Sequence, residues 1–256
     1  MQKIVIIFLL LVSSIEFFAQ TTGERNIHYS PSTTGNIGLV MIPTARFARD
    51  KEVIFSINSL SKNHAFLPNK EEKIGEKLYS VSVNFLPFAE IIATVTRPDN
   101  IEDVLWGVGD RSIKGRLKIL SERKYIPAFA IGLHDVFSAN HYQSAAYIVC
   151  SKEVAVSKTM IIDNHIGYAA NLLNSPWKNI ELFENSQPFL SGLFFGTSLY
   201  YKNLALMCEY DSEKFNSAIS ILLFNHFGFQ LKTIGFNSLS FGLNARLILG
   251  EPISIF

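Results

Sequence analysis

From about residue 52 onward, apolar and polar residues alternate with a period of two in segments of eight to twelve residues. That is the pattern of a strand whose two faces meet different surroundings. The clearest case is 238–249, where Leu239, Phe241, Leu243, Ala245, Leu247 and Leu249 share one face and Ser240, Gly242, Asn244 and Arg246 share the other. Six alternations outrun an ordinary soluble strand of ~5–6 residues. They match the ~9–11 residues a tilted strand needs to cross a bilayer. One stretch is ambiguous. In 112–120 the cations Lys114, Arg116 and Lys118 alternate with Ile113, Leu117 and Ile119, yet Ile113, Leu117 and Leu120 also fit one face of a helix. Its neighbours are all strand-like, so the strand reading is taken.

The pattern predicts twelve strands, at 52–60, 77–86, 88–97, 112–120, 126–135, 143–151, 158–169, 190–201, 204–211, 217–224, 227–234 and 238–249. The connections alternate in character. Leu86-Pro87, Ser121–Tyr125, Lys202-Asn203 and Asn225-His226 are short, whereas 61–76, 98–111 and 170–189 are long and polar. Only later do the loops at 212–216 and 235–237 on the second end also become short. Short turns at one end and longer loops at the other are the mark of an outer-membrane barrel. Lipid enforces closure, because an open sheet edge there would leave backbone N–H and C=O groups unpaired. The expected fold is therefore all-β, an antiparallel transmembrane barrel spanning 52–250 with a short tail at 251–256. A secreted β-sandwich would alternate too. The length of the alternations and the composition favour the barrel.

Charged residues make up 18% of the 256, against about 25% in soluble domains. There are 21 Phe, nine Tyr and two Trp. Tyr79, Phe85, Phe88, Tyr125, Tyr168, Tyr201 and Tyr210 fall near strand ends, where interfacial aromatic girdles belong. A net charge of +1 gives no reason to expect a nucleic-acid partner. The basic Met1-Gln-Lys3 start, the apolar run 4–12 and Ala19 form the three-part pattern of a secretory signal peptide over 1–20. No Cys follows the run to suggest a lipid anchor. Residues 21–51 form a polar, turn-rich lead-in, expected to be flexible over 21–36. Within it, 37–46 fits a lead-in strand, an internal plug or a periplasmic contact, and Pro43 argues against a central strand. Cys150 and Cys208 read as two small apolar residues rather than a disulfide, Cys208 being in phase with Leu204 and Leu206.

No hydrolase, zinc-protease, phosphate-loop or Cys-x-x-Cys motif occurs. His134-Asp135 and the Asp163/His165 pair are too isolated to argue a catalytic or metal site. The expectation is no enzyme, no metal and no cofactor. What remains is a polar lumen. Alternation assigns Glu90, Thr94, Thr96, Lys114, Arg116, Lys118, Asp163, His165, Glu209, Asp211, Gln230, Lys232, Asn244 and Arg246 to it, with no aromatic clearly directed inward. Either opposite charges pair across the lumen and plug it, or a basic ladder of Lys114, Arg116, Lys118 and Arg246 offers an anionic ligand a path.

Several stretches also resemble a known family. Gly35-Asn-Ile-Gly-Leu-Val-Met-Ile-Pro-Thr-Ala-Arg46 is similar to the opening motif of YjbH-type exopolysaccharide biosynthesis proteins. Leu86-Pro-Phe-Ala-Glu90 looks like their early hairpin. Gly109 to Lys118 resembles their Asp-x-Lys-x-Arg-Leu strand. Tyr125 to Asp135 lies at the family's spacing from it, and Tyr147 with Ser151-Lys152 is similar to the family's Tyr-x-Val-x-Ser-Lys. The resemblance is dense over 35–152 and thinner beyond. It implies an outer-membrane barrel that works with machinery making or exporting an extracellular polysaccharide, with the bilayer, the polysaccharide and export proteins as partners. The other reading is a structural, anchoring or small porin-like barrel whose external loops bind a partner.

Overall fold

The structure, a computed structural model, describes residues 29–66, 74–99, 109–135, 143–172 and 189–250. The signal-peptide reading over 1–20 and the tail at 251–256 lie outside them. Twelve strands follow one another: β1 Glu52–Leu60, β2 Glu76–Leu86, β3 Ala89–Pro98, β4 Asp110–Leu120, β5 Ala128–His134, β6 Ala145–Ala155, β7 Met160–Asn171, β8 Gly192–Tyr201, β9 Leu204–Tyr210, β10 Phe215–Leu223, β11 Phe227–Ile234 and β12 Ser238–Ile248. Each is antiparallel to its chain neighbour, and β1 pairs with β12 from Glu52↔Ile248 to Asn58↔Gly242. The sheet is therefore a closed barrel with no free edge. Closure satisfies the backbone in a medium that offers no hydrogen bonds.

The predicted segments agree with the strands in number and, mostly, to within two residues. The largest difference is β6, which runs on to Ala155 rather than stopping at 151. Lys152 and Glu153 lie on opposite faces there, so the alternation carries no apolar signal, but the backbone still pairs with β7 as far as Ala155↔Ile161. The segment 112–120 is strand β4.

The barrel is built inside out relative to a soluble protein. Leu239, Phe241 and Leu243 of β12 are 62%, 50% and 54% exposed, whereas Ser240, Asn244 and Arg246 are buried. The same division holds around the wall. Phe55, Ile57, Ile91, Ile113, Leu117, Ile148, Leu206 and Ile219 point outward, and every residue assigned to the lumen by alternation is buried except the half-buried Lys118. Exposed Phe85, Phe88, Tyr125 and Tyr201 ring the end with the short turns. Tyr168, Phe215 and Phe236 ring the other end. Cys150 and Cys208 are free, and Cys208 faces outward.

Two departures from expectation concern the inside. Aromatic rings do point inward: Tyr147, Phe194 and Tyr200 are buried. Tyr147 lies over Gly132 of β5 and Phe194 over Gly167 of β7, each glycine being the ring's direct cross-strand partner. A Cβ on either glycine would stand 2.3 or 2.2 Å from the ring. The glycines thus make room for large rings in a narrow lumen. The second departure is larger. Residues 30–36, read above as part of a flexible lead-in, sit inside the barrel together with 37–47, where an internal plug was one of the three readings, and every residue from 30 to 47 is under 9% exposed.

Candidate functional site

The segment 29–47 is a re-entrant plug. It begins at the end with the short turns, where Tyr29 meets Arg246 and Glu153. It turns deep in the lumen, and Met41 reaches Phe66, Phe189 and Leu190 at the far end around a cavity of about 20 Å³. It returns at Arg46 and Phe47 beside Glu122 and Lys118 before β1 starts. Local chemistry makes so tight a path feasible. Antiparallel bridges join Pro31 to Ile37 and Gly38 to Pro43. Gly38 is required by this approach, since a Cβ there would lie 2.4 Å from the Ile42 carbonyl oxygen. Gly35 has a positive φ of 91° and packs on Ser80 of β2, a conformation that favours glycine. Thr33, Thr34, Ser32 and Asn36 bond to one another or to the plug backbone. Their polarity serves a buried hydrogen-bond network instead of solvent.

A chain without a sheet partner must still satisfy its N–H and C=O groups when buried. The wall does this with charge. On β4, Lys114 Nζ donates to the Thr34 carbonyl and to Thr94 Oγ1 at 2.9 Å. Arg116 donates to the carbonyls of Ile37 (2.9 Å), Thr44 (2.9 Å) and Arg46 (2.8 Å), and is ion-paired to Glu90, its register partner on β3. On β9, the Glu209 carboxylate accepts from the consecutive N–H groups of Val40, Met41 and Ile42 at 2.8, 2.7 and 3.3 Å, and from Asn216 Nδ2 at 2.9 Å. Successive amides converging on one carboxylate form an anion nest. On β6, Ser151 Oγ accepts from Ala45 N at 2.8 Å and contacts His165 Nδ1 at 2.8 Å.

The strongest single contact is Arg46. It binds Asp163 of β7 bidentately, Nε to Oδ2 at 2.8 Å and Nη2 to Oδ1 at 2.7 Å. Nη2 also lies 2.6 Å from Glu122 and 3.7 Å from Glu153. Burial disfavours the charge of Arg46, but Asp163, first by its charge and then by its hydrogen bonds, together with Tyr29 and Glu153, holds the guanidinium pKa well above its ordinary value. Tyr29 lies over the same group, with its ring centroid 5.8 Å from Arg46 Cζ and its hydroxyl donating to Glu153. Burial, only partly offset by Arg46, keeps that phenol protonated well beyond its usual range.

Three of the four basic residues predicted as a ligand ladder thus donate to plug carbonyls, and they do so from two separate strands. Lys114 and Arg116 grip it from β4. Arg246 reaches the Tyr29 carbonyl from β12, with Glu52 at 3.4 Å. Lys118 is half-buried at the short-turn end, its Nζ 4.9 Å from the Phe47 ring centroid. Alternation placed Asp163 and Glu209 in the lumen without giving them a role, and it gave Arg46 none. The three consecutive amides that Glu209 holds carry no side-chain signature. The Arg46 carboxylates could have been suspected from inward acids on β6 and β7. Among the described residues, no group of three or more His, Cys, Asp or Glu side chains is placed to hold a metal ion.

A closed twelve-stranded barrel with an apolar exterior and a polar, plugged interior is an outer-membrane β-barrel protein. The model of the YjbH family, described as exopolysaccharide biosynthesis protein YbjH, matches residues 30–221, and the chain belongs to that family. The match begins where the plug begins. The stretches that resembled the family in sequence converge in space: 35–46 is the plug, Lys114 and Arg116 hold its carbonyls, and Ser151 holds its Ala45 amide. No curated protein matches the chain. Among solved structures, an outer membrane channel from Pseudomonas putida F1 is similar at 9% identity and a TM-score of 0.40, over 78% of this chain and 96% of that one.

Proposed function

We propose that this protein is a non-catalytic outer-membrane component of exopolysaccharide biosynthesis or export, and that its lumen is a passage closed in this state by the 29–47 segment. One observation carries the reading. Lys114, Arg116 and Arg246 use their donors on backbone carbonyls of the plug. Withdrawing the plug toward the short-turn end would free the same donors for the oxygens of an anionic polymer. Family membership supplies the link to exopolysaccharide. Deleting the gene should lower surface exopolysaccharide several-fold, and unchanged surface polysaccharide would overturn the assignment.

A second reading, a permanently closed scaffold whose external loops bind a partner, is favoured by the density of charged anchors on the plug. Planar-bilayer conductance separates the two. A barrel with Arg46→Ala and Glu209→Gln should conduct where the wild type is silent. If the loosened barrel stays silent yet still restores polysaccharide to the deletion strain, the scaffold reading stands.

A further inference from the structure

We infer that the lumen face of β1, β11 and β12 is a subsite for the hydroxyl groups of an acidic sugar chain, with Gln230 and Ser56 on the hydroxyls and Lys114, across the lumen, on the acid. The inference rests on the passage proposed above and names the class of polymer that fits it.

Gln230 is 0% exposed, yet neither its Oε1 nor its Nε2 bonds to any described residue, and the same holds for the buried Ser56 Oγ. Buried polar side chains nearly always have partners, and leaving one unpaired is costly. The register gathers these groups. Gly242 of β12 is the direct partner of Asn58 on one side and of Gln230 on the other, and Ser56 is the next inward residue along β1. A Cβ at Gly242 would lie 2.5 Å from Asn58 Oδ1, 3.0 Å from Gln230 Oε1 and 3.2 Å from Lys232 Nζ. The glycine lets three polar groups converge on one point of the wall.

The plug meets this face mainly with hydroxyls. Ser30 Oγ lies 2.8 Å from Ser220 Oγ of β10, and Thr33 Oγ1 accepts from Lys232 Nζ at 3.2 Å. One longer contact, from Asn58 Nδ2 to the Ser32 carbonyl at 3.4 Å, reaches the backbone. Each hydroxyl of a sugar ring both donates and accepts, and a primary amide offers two donors beside an acceptor. Gln230 therefore matches a pair of neighbouring hydroxyls, a match the plug does not supply.

The acid follows from the cations. Lys232 of β11 and Lys114 of β4 hold adjacent plug residues, Thr33 and Thr34, whose Cα atoms lie ~3.8 Å apart. Both ammonium groups end on neutral oxygens, those of Thr33 and Asn58 for Lys232 and those of Thr34 and Thr94 for Lys114. With the plug withdrawn, a sugar unit bearing a carboxylate satisfies both sides at once. A polyanion without hydroxyls leaves Gln230 unpaired, and a neutral sugar leaves Lys114 without a counter-charge.

The test uses the full barrel in detergent, loosened by Arg46→Ala and Glu209→Gln. The probes are oligogalacturonate, polyglutamate and a dextran oligosaccharide of equal chain length, and native mass spectrometry reads the probe retained. Oligogalacturonate is expected to bind at least tenfold tighter than either of the others. Adding Gln230→Leu and Ser56→Ala should abolish the preference over polyglutamate and keep that over dextran. Adding Lys114→Gln instead should narrow the preference over dextran several-fold. Gln230→Leu and Ser56→Ala remove no hydrogen bond made by the plugged barrel, so gel mobility without heating and the urea midpoint should match the parent. Equal retention of the three probes, retention of none, or a preference over polyglutamate that survives Gln230→Leu with Ser56→Ala overturns the proposal. The passage reading fails separately: unchanged surface polysaccharide after gene deletion removes it with the sugar preference intact, whereas a loosened barrel that conducts but holds all three probes equally removes the subsite alone.

Discussion

The plug is held by two walls of opposite chemistry. The β3–β4 wall offers Lys114 and Arg116, which read carbonyl oxygens of Thr34, Ile37, Thr44 and Arg46. The β6–β9 wall offers Ser151, Asp163 and Glu209, which accept from the Ala45, Val40, Met41 and Ile42 amides and from the Arg46 guanidinium. A buried peptide segment presents both acceptors and donors, and each wall takes one kind. The lumen charges therefore do not plug the barrel by pairing across it. They pair with wall neighbours, as Glu90 does with Arg116 and Glu52 with Arg246, or they hold the plug. Removing a group from one wall should strip one kind of contact and leave the other intact.

The largest effect should come from the acidic wall. Arg46→Ala leaves Asp163, which is 0% exposed, beside Glu122 and Glu153 with no cation from the plug. Breaking a buried pair by removing one partner costs about 3–5 kcal/mol. Urea unfolding of the barrel in micelles should show that loss, and Asp163→Asn added to Arg46→Ala should recover part of it. A loss under about 1 kcal/mol would mean the wall is wetter than its burial implies. On the basic wall, Arg116→Lys keeps the charge but cannot fork onto three carbonyls and Glu90 at once. The expected cost is about 1–3 kcal/mol in the same assay, with the carboxylate contacts of Glu209 undisturbed. Should Arg116→Lys cost as much as Arg46→Ala, the distinction between the walls would lose its meaning.

These two walls also divide what the sequence made legible from what it did not. The outside was readable because lipid imposes one demand on every second residue of every strand, and the demand repeats twelve times. The inward phase of Lys114, Arg116, Asp163 and Glu209 followed from the same alternation. Their partners did not, since Arg46 and Asp163 are separated by 117 positions and no local pattern records a contact of that span. Composition pointed the other way for 30–36. Ser, Thr, Asn and Gly usually mark a solvated linker, but here they complete hydrogen bonds inside a lumen. Tyr147, Phe194 and Tyr200 escaped notice for a related reason. Aromatics are expected at the lipid face, and only Gly132 opposite Tyr147 and Gly167 opposite Phe194 hinted at inward rings, with no such hint for Tyr200.

Glu209→Gln tests the acidic wall more gently. The amide keeps an oxygen for one or two of the three N–H groups but turns an –NH₂ toward the rest, so the nest is weakened instead of emptied. Hydrogen bonds to a charged acceptor exceed those to a neutral one by about 1 kcal/mol, and a destabilisation of about 1–2 kcal/mol is expected. Because Val40 to Ile42 form the deepest turn of the plug, local opening should be visible there first. Amide exchange at Val40, Met41 and Ile42 should accelerate at least tenfold, with Ala45 unaffected. Uniform acceleration along the plug would show instead that it opens as one unit.

The smallest effect is expected at Lys118, the one member of the predicted ladder that holds no plug carbonyl. Its ammonium lies 4.9 Å from the Phe47 ring centroid, while Arg116 Cζ approaches the same ring at 4.5 Å. A half-exposed cation–π contact is worth about 0.5–1 kcal/mol, and here Arg116 already supplies the buried half of it. Lys118→Ala should therefore cost no more than about 0.5–1 kcal/mol. Phe47→Leu should cost more, because it removes the ring both cations share. If Lys118→Ala instead proved as damaging as Arg116→Lys, the ladder would act as a single charged unit after all, and the lumen would have to be understood through its field more than through its individual bonds.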